Sequence, residues 1–224
     1  AAVTDFAKKT VKFGAAAAAG LAAGFLALDN ATEEYRTAQG KLNTAYEAAG
    51  DSARTASTAY REFYKILGDT DTAAEASQLL AKLSRNERDV TRWTRIAAGV
   101  SGTFGDSLPI EGLIEASNET VKTAKVTGVL ADALNWVGIS EDAFNEKLER
   151  CSDEGERNRL LMDTLTATYE GAASAFYRNN QELVRARANQ AAMSTVTAKL
   201  GSAAQTAKNW IWQLLGAQED GSLR

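Results

Sequence analysis

The sequence predicts an all-α protein, with long coiled-coil-like helices flanking a small helical module in an elongated arrangement. Three observations predict it. The 224 residues contain one proline, Pro109, so almost nothing interrupts the helical hydrogen-bond ladder. Alanine, which loses no side-chain entropy in a helix, makes up about a fifth of the chain, well above its usual share. Apolar side chains recur at alternating steps of three and four residues along two long stretches, which is the spacing of a helix with one buried stripe. No convincing strand pattern is present.

The first zone, 1–67, reads as a long helical, coiled-coil segment. It opens on Ala1 rather than Met, as a processed chain or a piece of a longer one would. Lys8, Lys9 and Lys12 precede an uncharged run from Phe13 to Leu28. That run is shorter than the roughly 20 residues that span a bilayer, and Ala and Gly dominate it. It reads first as a packed or partner-facing helix. The second reading is a membrane segment presenting Phe13, Leu21, Phe25, Leu26 and Leu28, and the third is a signal remnant. From Leu21 the register runs through Phe25, Leu28, Tyr35, Leu42, Tyr46, Tyr60, Phe63 and Leu67 without a slip. A 3.5-residue repeat keeps one seam facing a partner helix. A break at Gly50–Asp51 fits the pattern, although the seam keeps phase across it.

The second zone, 68–151, reads as a compact bundle of short helices. Thr72-Ala-Ala-Glu75 and Ser84-Arg-Asn-Glu87 fit capping boxes. Gly99, Gly102 and Gly105 are expected to break the chain before Pro109, which suits the first turn of the next helix. An amphipathic stretch near Thr120–Val137 follows, with Gly138 as its stop and Ser140 as the next N-cap. Phe144, Leu148 and Cys151 share a face. Trp93, Phe104 and Trp136 are expected to fill a small shared core.

The third zone, 152–224, reads as one or more long amphipathic helices. Its register passes through Leu165, Phe176, Leu183 and Leu200, with polar interruptions and with Gly171 and Gly201 as candidate breaks. The tail Asn209-Trp-Ile-Trp-Gln-Leu-Leu215 is strongly apolar and reads as internal packing before a docking element. As helix, the first and third zones would each reach on the order of 75 Å at 1.5 Å per residue. Seams of that length exceed what the middle bundle covers, so they are expected to meet other copies of the chain or another protein. A charge placed at Leu42 or Phe63 is expected to disrupt that assembly, and one at Lys41 is not.

Reactive chemistry is scarce. The chain has no His, one Cys, and a net charge of −4 with pI near 5.1. This removes the commonest general base and metal ligand and gives no dense basic face for nucleic acid. Gly99-Val-Ser-Gly-Thr-Phe-Gly105 lacks the Lys-Ser/Thr ending of a phosphate loop. The carboxylates Glu33, Glu34, Asp153, Glu154 and Glu156 read as helix starts matched to the dipole. Cys151 reads as an inert thiol. Arg178, Arg185 and Arg187 read as a solvated face before a phosphate or lipid contact. No catalytic, cofactor or metal site is predicted, and no enzyme activity.

Several stretches have a family's wording. They are Thr103-Phe-Gly-Asp-Ser-Leu-Pro-Ile-Glu-Gly-Leu-Ile-Glu-Ala-Ser-Asn-Glu-Thr120, Ala131-Asp-Ala-Leu-Asn-Trp-Val-Gly-Ile-Ser-Glu-Asp-Ala-Phe-Asn-Glu-Lys-Leu148, Glu156-Arg-Asn-Arg-Leu-Leu-Met-Asp-Thr-Leu165 and Ala175-Phe-Tyr-Arg-Asn-Asn180. Together they resemble the helical region of tail tape measure proteins from long-tailed phages and prophages of Gram-positive bacteria, over about residues 100–195. A weaker echo lies in Ala27-Leu-Asp-Asn-Ala-Thr-Glu-Glu-Tyr35.

The resemblance implies a structural protein inside the phage tail, with the host cytoplasm as its place during assembly. It would set tail length, fill the tube and assist genome delivery as a homo-oligomer, with a trimer favoured. Tail tube and tail tip proteins would be its partners, with host-membrane contact at ejection and no sequence-specific nucleic-acid recognition. Family members are usually far longer, so this chain would be a fragment. The alternatives are a membrane-active helical pore former, a helical secretion-system substrate and, most distantly, a cell-wall hydrolase.

Overall fold

Gly99 sits where two helices come into close backbone contact. A Cβ built on it would lie 2.5 Å from the backbone oxygen of Tyr169 and 2.8 Å from that residue's Cβ. The computed structural model describes residues 35–192, and within them the protein is all-α, without strands. The elements are α1 (35–48), α2 (Ala53–Leu67), α3 (Thr70–Leu80), α4 (Glu87–Phe104), a 3-10 turn (Gly105–Ser107), α5 (Ile110–Thr123), α6 (Gly128–Trp136), α7 (Glu141–Glu149) and α8 (Glu154–Asn179). The last is α9, helical over 181–192 of the described residues. Residues 38–191 form one compact unit. It draws helices from all three zones of the sequence.

Local chemistry sets the boundaries. The Ser52 hydroxyl accepts from the Thr55 N–H at 3.2 Å to start α2, and Gly68, at φ +76°, ends it. Asp69 caps α3 by accepting from Thr72 N–H at 2.8 Å, and Asn86 caps α4 by accepting from Arg88 and Asp89 N–H. The predicted capping boxes are therefore each misplaced. Thr72 is the donor to a cap three residues earlier, and Ser84 is buried in the preceding loop. Ser140 caps α7 and Gly138, at φ +77°, follows α6, both as the sequence predicts. Asp153 caps α8 by accepting from the Glu156 N–H at 2.8 Å, and the Glu156 carboxylate accepts at 2.8 Å from both the backbone N–H and the hydroxyl of Ser152, the residue before the cap.

Two further expectations are corrected. The stretch near Thr120–Val137 is two helices, because Ala124 turns left-handed at φ +59° after α5. Gly99 and Gly102 do not break the chain: α4 runs through both and ends at Gly105. Their role is packing. The Arg92–Asp163 pair at 2.5 Å, the Gly99–Tyr169 approach and the Gly102–Phe176 approach ascend both sequences together, with the long Arg95–Glu170 pair reaching across beside them, so α4 and α8 run parallel. Missing Cβ atoms let the two backbones close to a distance that larger residues forbid, and Trp93, Ile96, Ala97, Leu161, Leu165 and Ala173 are buried on these two helices.

Buried and half-buried polar side chains tie the remaining elements to this pair and to one another. Asn158 Nδ2 donates to Leu83 O at 2.7 Å, Asn118 Nδ2 to Leu79 O at 2.9 Å, and Arg157 Nη1 to Val121 O at 2.7 Å. The Tyr169 hydroxyl donates to Ala133 O at 2.6 Å, joining α8 to α6, and burial pushes that phenol up to about 12.

The glycine contact sets the first prediction. Gly99→Ala should destabilise the fold by about 1–3 kcal/mol, because its Cβ meets backbone that cannot step aside. Gly171→Ala, on the same parallel pair with nothing within 4 Å of its Cβ, should stabilise by about 0.5–1 kcal/mol through helix propensity. Urea denaturation of both variants checks this, and equal effects would refute the close-approach account.

Acid sensitivity follows from the caps. The Thr72 amide holds the Asp69 carboxyl below its ordinary range, the Ser152 amide does the same for Glu156, and Arg95 does so for Glu170. A depressed folded-state value means the unfolded chain takes up protons first. The contribution is complete above the ordinary carboxylate range and is lost as pH falls through the folded values. The denaturation midpoint should therefore fall as pH drops below about 4, and the Glu156→Gln variant should show a shallower fall than the parent.

Candidate functional site

Side chains assigned to an oligomer seam divide into three groups. Leu42, Tyr46, Tyr60, Phe63 and Leu165 are buried in the unit's own core, each at 3% exposure or less. Tyr35, Leu67 and Phe176 are half-buried. Leu183 is exposed at 44%. Leu21, Phe25, Leu28 and Leu200 lie outside the described residues, as do the candidate membrane run with Phe13 and Leu26 and the Trp210–Leu215 tail.

The assignment of the first group to a seam between copies is therefore corrected. Gly50, at φ +82°, turns the backbone between α1 and α2. The stripe on α2 is then spent on neighbours in the same chain, since α2 packs against α3 and α4. No continuous helix runs from 35 to 67. A 3.5-residue repeat reports that a stripe is buried, not whose side chains bury it.

The basic cluster also dissolves. Arg187 turns onto the C-terminus of α2, where its Nη1 donates to the carbonyls of Lys65 and Ile66 and its guanidinium lies over Gly68. There it satisfies carbonyls that the helix leaves without partners and meets the negative end of the dipole. Arg185 pairs loosely with Glu182 at 3.8 Å, and Arg178 is exposed in the last turn of α8. Cys151 is half-buried beside Phe144 and Leu148, its Sγ donating to Lys147 O at 3.4 Å. Burial, with Glu156 nearby, pushes its thiol up.

A cleft of about 610 Å³ opens at the start of α8, lined by Arg85, Ser152, Asp153, Glu154, Gly155, Glu156 and Arg159. Its acidic groups Asp153 and Glu156 are already engaged as caps. The Ser152 hydroxyl there donates to the Glu156 carboxylate at 2.8 Å, and the same carboxylate oxygen also takes the Ser152 backbone N–H. Among the described residues no group of three or more His, Cys, Asp or Glu could hold a metal ion, and no helix is long and apolar enough to cross a membrane.

The sequence reading misses one surface feature. Trp136 does not join Trp93 in a core. Trp93 is 1% exposed, whereas Trp136 is 69% exposed, with its ring 5.3 Å from that of Phe104 in an edge-on arrangement. Phe104 in turn lies 6.3 Å from Tyr169. Val137, next in the chain, is also exposed. A signal was available: α6 is only two and a half turns long and Gly138 ends it at once, which puts Trp136 on a helix end. No protein-family model, no curated protein and no solved structure matches the chain.

The burial pattern separates core from surface by experiment. Phe63→Ala should cost about 3–5 kcal/mol of unfolding free energy, the range for a buried Phe. Leu183→Ala should stay within about 0.5 kcal/mol of the parent. Sedimentation of both, run below their unfolding transitions, should give the parent's molar mass. A drop in mass for Phe63→Ala without loss of stability would restore the intersubunit seam.

Proposed function

We propose that this chain is part of a tail tape measure protein of a long-tailed phage or prophage, a structural protein that occupies the tail tube, sets tail length and leaves ahead of the genome. One observation carries the reading: the wording of residues 103–120, 131–148, 156–165 and 175–180, which resembles that family over about residues 100–195. These stretches fall on the end of α4 with α5, on α6 with α7, and on α8, and helix is what such proteins are made of. The burial of Leu42, Tyr46, Tyr60, Phe63 and Leu165 changes one detail of the proposal. Any association between copies has to use side chains other than these.

Purified tails from the parent phage or induced prophage supply the test. Peptides from this chain should appear in the tail fraction at a few copies per particle. An in-frame deletion of the codons for 38–191 should shorten the tails, by at most roughly 230 Å at 1.5 Å per residue of extended helix. Tails of unchanged length that lack these peptides would overturn the proposal.

A further inference from the structure

Charge is segregated along this chain in a way that its modest net value hides. Residues 103–121 carry Asp106, Glu111, Glu115 and Glu119 and no Lys or Arg, and residues 126–146 carry Asp132, Glu141, Asp142 and Glu146 and again none. The whole chain has 25 basic against 29 acidic residues, and near these two segments the cations are Lys122 and Lys125 between them and Lys147 after the second, three against eight carboxylates. The exposed Trp136 and Val137 sit within the second of these acidic segments, and Phe104, on which Trp136 leans, opens the first.

The rim can be placed residue by residue. Asp132 is exposed one helical turn before Trp136 on α6, and side chains four apart share a face. Glu141 accepts from the Nδ2 of Asn135, the residue before Trp136, at 2.9 Å, so the start of α7 is held against the end of α6 that carries the indole. Asp142 is exposed beside it, and Asp106 is exposed two residues after Phe104. Among the described residues none of these four carboxylates has a basic partner within ion-pair distance. Tryptophan is one of the side chains enriched among those that carry the binding energy of protein interfaces. Uncompensated carboxylates around it fix the sign of what it accepts.

We propose that Trp136, Val137 and the open edge of Phe104 form a docking surface for a basic amphipathic segment of a partner protein, whose apolar side chains cover the indole and whose Lys or Arg side chains meet Asp106, Asp132, Glu141 and Asp142. Nucleic acid and anionic lipid have the wrong sign for this rim. The surface stands apart from the phage-tail reading, since it follows from burial and charge alone.

The test uses the full chain and two labelled synthetic helical peptides with one leucine face, the first bearing lysines on the other face and the second bearing glutamates. Fluorescence anisotropy should show the lysine peptide binding and the glutamate peptide not binding at 150 mM salt. Trp136→Ala should weaken the lysine peptide at least tenfold. Asp132→Asn with Asp142→Asn should weaken it severalfold and flatten its salt dependence, which keeps the idea testable if the Trp136 variant folds poorly. Leu183→Ala should leave it unchanged. The proposal is overturned if neither peptide binds, if both bind alike, or if the Trp136 variant binds as the parent does. It is also overturned if sedimentation shows the parent dimerising through Trp136, because the face would then belong to a second copy.

Discussion

The approach of α4 to α8 at Gly99 is the constraint that the other contacts of this unit depend on. A parallel helix pair cannot be made by a tight hairpin, so α5, α6 and α7 fill the path from the end of one helix to the start of the other. Of these, α5 packs against both members of the pair, α6 packs against α5 and is tied to α8 through Tyr169, and α7 packs against α6. Tyr169, whose Cβ and backbone oxygen bound the space at Gly99, also sends its hydroxyl to Ala133 on α6. One residue thus fixes a close helix contact and anchors an element of the connection. A larger side chain at position 99 would displace both together, because close-packed interiors transmit such strain instead of absorbing it.

Arginines supply a second kind of tie. Arg157 donates to the last carbonyls of α5, and Arg187 to those of α2. In both cases a cation from the third zone of the sequence closes a helix end from an earlier zone. Arg92 and Arg95, by contrast, bridge the exposed flank of the α4–α8 pair to Asp163 and Glu170. Partly exposed pairs of that sort add little stability each. Their value here lies in register, since a slide of α8 by one turn would separate both at once.

What the sequence discloses follows from the range of each interaction. The all-α class, the Ser140 cap, the Gly138 stop and the apolar face of Phe144 and Leu148 are local, set by residues within one or two turns, and all are legible. The seam through Leu42, Tyr46, Tyr60 and Phe63 is legible as a buried stripe. Its owner is not, because helices of the same chain and helices of another copy impose the same spacing. Gly99 and Gly102 mislead for the same reason. Glycine lowers helix propensity by about 1 kcal/mol, which reads as a break. A close partner that only glycine admits reverses that meaning, and the partner lies about seventy residues away. Arg187 is likewise unreadable from its neighbours, since its acceptors are carbonyls near Gly68.

The same logic bears on how a protein of this kind could engage others. Side chains already spent on the core at Phe63 and Leu165 cannot also be offered to a partner without unfolding. Recognition must therefore use what folding leaves over. Among the described residues, the large apolar side chains left exposed are Trp136, Val137 and Leu183. Leu183 stands near Glu182, Arg185 and Arg187, where charges of both signs meet. Trp136 and Val137 stand where the carboxylates have no basic counterpart. Two apolar spots of similar kind are thus set in opposite electrostatic surroundings, and only the one at the end of α6 carries a sign by which it could choose among partners.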